Sequence, residues 1–192
     1  FTLGQAMFPV GSLLLGLLKV IARSRKAVFW ARDWAVLRHD LNVDEVIVAT
    51  LLHDFAEILM WCFAPSLATQ VKERHMQDHA ARSVNIQTEI YRVPLYEVKL
   101  ALAHEWHLPE LLIALMDPGN AAHPRFLNVM LAVNLARHSA NGWDDAALPD
   151  DYTAIGELLH LNHETVQKRI GVPDADAEAE ASATTDPQRD RA

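Results

Sequence analysis

The chain has 192 residues, 51% of them hydrophobic and 22% charged, enough for one domain with a sizeable core. Its formal net charge of −8 argues against an extended phosphate-binding surface, so no nucleic-acid partner is expected. Cys62 is the single cysteine, which excludes an internal disulfide and a zinc ribbon and asks for no oxidising compartment.

In chain order, Thr2 with Gln5 reads as the cap of a short turn ending at Pro9, and Ser12 to Ala22 as an apolar helix. Leu3 to Ala22 is interrupted by Gln5, Ser12 and Lys19, and its positive charges follow the apolar run. That is neither a secretory signal nor the clean run of about 20 residues a membrane span needs, so no membrane partner is expected. Ser24 to His39 is amphipathic, with Ala27, Trp30, Ala31, Trp34, Leu37 and Leu41 on one face.

Asn42 to Pro65 reads as one long central helix, apolar almost all round, opened by Asn42 with Glu45 and stopped by Pro65. Thr50, His53, Asp54 and Glu57 fall at i, i+3, i+4 and i+7 and form one polar stripe on it. Polar groups in a core need partners, and an unpaired carboxylate most of all. The stripe therefore calls for a metal, basic side chains or water.

Ser66 opens a further helix, and a polar helix or turn spans Gln77 to Val93. Pro94 opens a helix to Trp106 with Leu95, Val98, Leu102 and Trp106 as its seam, and Pro109 and Pro124 open two more. Asp150 to His160 and Asn162 to Ile170 are shorter. No period-2 segment bounded by turns occurs, so the fold class is all-α. From Val172 onward there is almost nothing to bury, and six acids outweigh two arginines: an acidic, disordered tail is expected.

An adjacent His-Asp pair on a buried helix can anchor a divalent ion that activates water, but a catalytic metal takes at least three protein ligands. LLHDFAE at Leu51 to Glu57 resembles the LLHDIGK motif of HD-domain phosphohydrolases. The later order, Trp106-His107-Leu108-Pro109, ELLIALMDP and LNVMLAVNLARHSANG, is similar to the HDOD family (HD-related output domain) of bacterial signalling proteins, from Lys26 to Gly142. TLGQAMFPVG at Thr2 to Gly11 resembles the end of that family's preceding helical subdomain, most of which the resemblance implies is missing.

The resemblance implies an HD-like helical bundle over residues 23–171, a subdomain remnant at 1–22 and the tail at 172–192. It also implies a degenerate metal site. His53 and Asp54 match, but Glu57 stands at the motif's Lys, and Leu95, Leu115, Met116 and Asn134 stand where further ligands belong. The expected site is thus vestigial, with Asp54 paired to a basic side chain from the preceding helix, Arg25, Lys26 or Arg32, and with no metal, cofactor or catalytic residue. The expected function is a non-catalytic cytoplasmic regulatory domain contacting other signalling proteins. The alternatives are a metal-dependent phosphohydrolase of nucleotides or cyclic dinucleotides, with a divalent ion at His53 and Asp54, and a small-ligand sensor using the groove around His53. His75, Asp78 and His79 read as a solvated polar face, and Cys62 as core packing.

Overall fold

The computed structural model describes residues 10–78 and 82–173, apart from the side chains of residues 10, 12 and 13. The expected Thr2 cap, His79 and the acidic segment from residue 174 lie outside the described residues. The described chain is helical without strands: α1 (Val10–Leu37), α2 (Val43–Leu52), α3 (Phe55–Phe63), α4 (Pro65–Gln77), α5 (Ser83–Tyr91), α6 (Leu95–Glu105), α7 (Glu110–Met116), α8 (Pro124–His138), α9 (Leu148–Leu159) and α10 (His163–Ile170). The all-α bundle expected from the periodicity is the fold.

Two boundaries differ from the sequence reading. The segments read as two helices, Ser12–Ala22 and Ser24–His39, form the single helix α1 of 28 residues, roughly 42 Å long at the α-helical rise. It ends early enough that Leu41, assigned to the buried face, is exposed beyond the left-handed His39. The central helix, conversely, is two. Asn42 makes no side-chain cap, its amide donating instead to Asp40 Oδ1 at 2.9 Å, and the rod breaks into α2 and α3 at His53-Asp54. Its far end is wetter than expected, with Phe63 and Cys62 exposed.

The main core gathers one face of α1 (Ala27, Trp30, Ala31, Trp34, Ala35) with α2, α7, α8, α9 and α10. Asn128 of α8 ties this face down by donating from Nδ2 to the Ala31 carbonyl at 2.9 Å. At the other end of α1, Val20 packs with Trp61 of α3 and Ala68 of α4 in a smaller cluster. Val43 to Phe63 is long and apolar enough, at mean hydropathy 1.7, to meet the composition test for a membrane span. Its break at a buried Asp54, and its packing between α1, α7 and α8, make it the centre of the bundle instead.

Gly16 lets the small cluster close. A Cβ there would lie 2.5 Å from Trp61 Cη2, so α1 and α3 approach only because the residue has no side chain. Gly16→Ala is expected to destabilise by about 1–3 kcal/mol, the usual effect of overpacking; an unchanged denaturant midpoint would show that Trp61 moves freely aside.

A second tie joins α8 to α9, where His138 Nδ1 lies 2.6 Å from Asp151 Oδ2. That hydrogen bond, opposed by partial burial and reinforced by the charges of Asp151 and Asp145, raises the imidazole's pKa above its ordinary value. A raised folded-state pKa means the pair stabilises fully below about pH 6.5 and loses its contribution as pH climbs through the folded value. NMR titration should place His138 above 6.5 and return it toward 6.5 in Asp151→Asn; a wild-type midpoint at or below 6.5 contradicts the pairing.

Candidate functional site

The His-Asp pair occupies the turn between α2 and α3. The His53 amide reaches back only to Thr50 O at 3.3 Å, an i to i−3 bond, and Asp54 (φ −99°, ψ 16°) precedes the first residue of α3. An aspartate there ordinarily accepts an amide hydrogen bond from the new helix. Asp54 makes none, because both its oxygens face inward. Oδ2 accepts from Arg23 Nε at 3.1 Å and from Arg23 Nη2 at 2.7 Å. Oδ1 accepts from His53 Nδ1 at 3.0 Å and, at longer range, from Arg137 Nη2 at 3.4 Å.

The stripe read along the sequence is thus met by groups from three directions. Arg23 comes from α1 and also donates from Nη2 to Glu57 Oε2 of α3 at 2.7 Å. Arg137 comes from the last turn of α8. Thr50 satisfies its own hydroxyl by donating to Val46 O at 2.7 Å.

The electrostatics follow from this geometry. Burial alone would raise the Asp54 pKa, but the His53 hydrogen bond and the charges of Arg137 and Arg23 outweigh it and hold the carboxyl well below its usual range. Burial pushes His53 downward, only partly opposed by its bond to Asp54, with Lys99 and Arg137 adding to the fall. His53 is therefore a neutral imidazole at pH 7, its Nδ1 proton directed at Asp54. The Arg23 guanidinium is raised despite desolvation, because Glu57 and Asp54 both favour its charge.

The basic partner is correctly placed on the preceding helix, but its expected identity is not. Arg25 and Arg32 point into solvent from the opposite face of α1. Lys26 donates to Ser139 Oγ at 3.1 Å, with its ammonium about 5 Å from the ring centroids of Trp30 and Trp143. Arg23 is the partner because it continues the buried row backward by one turn, at i−4 from Ala27 and i−7 from Trp30. Breaking α1 at that residue hid the signal.

Arg137 and Lys99 carried none. Lys99 lies on the observed seam of α6, Leu95-Lys99-Ala103, and is 4% exposed. The seam expected through Trp106 is displaced, leaving that ring half in water.

A divalent ion, which the HD motif implies, does not fit these residues. Among the described residues no three His, Cys, Asp or Glu side chains are grouped to hold one. Leu95, Leu115 and Met116 are core apolar residues where further ligands would belong. Arg23, Arg137 and Lys99 bring positive charge to the position a cation would take, which opposes its entry.

If Asp54 is held as described, Asp54→Ala leaves Arg23 buried with half its compensation and should destabilise by about 3–5 kcal/mol in chemical denaturation. The two depressed pKa values also fix a pH dependence. Stability is whole above about pH 6.5, falls as pH drops through the range where unfolded His53 takes up a proton, and falls further below about pH 4. A wild-type stability that stays flat from pH 7 to 3.5 would contradict both assignments.

Comparison with known proteins agrees with the motif. Residues 5–120 match the family model described as the HDOD domain, a stretch running through α7 and including Arg23, His53, Asp54, Glu57 and Lys99. No curated protein and no solved structure matches the chain. Arg137, which completes the shell of Asp54, lies beyond the matched stretch, on a helix that supplies much of the core. The match spans more than half of the sequence and coincides with the helices that build the His53-Asp54 turn: the chain belongs to the HDOD family.

Proposed function

We propose that this chain is a non-catalytic regulatory domain of a cytoplasmic signalling system, acting through contacts with other signalling proteins, its HD position kept as an internal electrostatic tie. The observation that supports this reading is the saturation of Asp54 by Arg23, His53 and Arg137, which replaces ion ligation with protein charge. A carboxylate bound on both oxygens by donors does not also ligate a metal, so the hydrolytic chemistry of HD enzymes has no starting point here.

The contact role is supported by the outer face of α1. Leu14, Leu15, Leu18, Phe29 and Val36 are each half or more exposed, interspersed with Arg25 and Arg32. A contiguous apolar face of this kind marks a surface that another protein covers.

The protein incubated with manganese and desalted should retain substoichiometric metal and turn over neither nucleotides nor cyclic dinucleotides. Stoichiometric metal with turnover lost in His53→Ala would overturn the non-catalytic reading. The contact surface is tested separately with Leu18→Asp and Phe29→Asp, which should move Tm by under about 2 °C while removing cross-links that the wild type forms through α1 in native extract. Cross-links that persist in both variants would place the interface elsewhere.

A further inference from the structure

Within the network around Asp54 the charges balance: Arg23 and Arg137 answer Asp54 and Glu57, and His53 is neutral. Lys99 is the exception. It comes in from α6, 4% exposed, and no hydrogen bond or ion pair engages its ammonium. Asp54 and Asp117 act on it only at longer range, and the nearby Arg137 opposes its charge.

A buried cation without a partner is costly, and a protein ordinarily pairs it or leaves it open to something that will. Asp54 is not available, since its two oxygens already receive Arg23, His53 and Arg137. Asp117 is engaged in its own turn, where Oδ1 accepts from the Gly119 amide at 2.8 Å. The ammonium is not sealed off either. Among the described residues, the fully enclosed side-chain polar atoms lacking a partner are Trp34 Nε1 and Asn128 Oδ1, so Lys99 Nζ keeps an opening to solvent. The Arg137 side chain, a third exposed, stands at the same place with donor capacity to spare, because only Nη2 is used, at 3.4 Å.

We infer that Lys99 and Arg137 form the floor and rim of a binding site for a small phosphate-bearing anion, seated beside the His53-Asp54 turn without a metal. An ammonium and a guanidinium converging from two helices supply the point charge and the planar fork that phosphate oxygens accept from. The narrow opening selects a compact oxyanion, free phosphate or the phosphoryl group of a nucleotide, rather than a bulky carboxylic acid. The inference rests on the vestigial-site reading above, since a divalent ion at Asp54 would take over phosphate binding. All binding measurements therefore include a chelator, which keeps the failure of this inference distinct from metal uptake and turnover.

The experiment is a thermal-shift titration with inorganic phosphate and, in parallel, with GMP and AMP, at constant ionic strength. Wild type should rise by about 3–6 °C once the anion exceeds its dissociation constant tenfold. Lys99→Met should remove the rise, Lys99→Arg should keep it, and the surface control Lys19→Met should not affect it. A rise with inorganic phosphate alone assigns the free anion, and one with the nucleotides as well assigns a phosphate ester. No rise with any of them, or an equal rise in Lys99→Met, overturns the site. Should Lys99→Met not fold, amide shifts in the wild type decide: perturbations centred on Lys99, His53 and Arg137 support the site, and shifts scattered over surface lysines or absent altogether overturn it.

Discussion

The carboxylate of Asp54 sits in the interior of a bundle whose other central side chains are almost all apolar, and that charge has to be answered from within. Arg23 answers it from α1 and Arg137 from α8, while His53 is turned onto it from the preceding residue. Helices remote in sequence are thereby tied to one turn. The break between α2 and α3 is part of the same arrangement: a straight rod would carry Asp54 past its partners, whereas the turn aims both oxygens inward and gives up an amide cap.

That constraint also explains how α1 is divided. Its C-terminal half is buried against the main core through Trp30 and Trp34, and its N-terminal half touches the bundle mainly through Gly16, Val20 and Arg23. The second half is held by one close approach to Trp61 and by one ion pair, and it leaves a long apolar face in water. The strongest hydropathy signal, Val43 to Phe63, belongs to the bundle centre, because its break falls at a charged residue with partners on both sides.

Much of this was legible in the residues. Pro94, Pro109 and Pro124 marked three helix starts, and Asn162 marked a fourth, where its Oδ1 accepts from the Thr165 amide. The row Ala27-Trp30-Ala31-Trp34 gave the buried face of α1, and the HD motif gave both the family and the need for a counter-charge. The error at Arg23 came from a local cue: Arg23-Ser24-Arg25 resembles a helix boundary, yet the row at i and i+4 continues through it. Lys99 and Arg137 were out of reach for another reason. A lysine in a mostly apolar helix and an arginine in the last turn of another read as solvent-facing, and only three-dimensional packing turns them inward.

By itself the sequence determined the helical class, the family, the identity of the buried acid and imidazole, and the loss of most ion ligands, because helical periodicity and motif spacing are properties of neighbouring residues. Which cations neutralise Asp54, where the central rod breaks and which lysine is left without a partner were decided by tertiary structure alone. Those outcomes depend on distances between α1, α3, α6 and α8 that no local spacing encodes, and the cost of an unanswered buried charge selects among them.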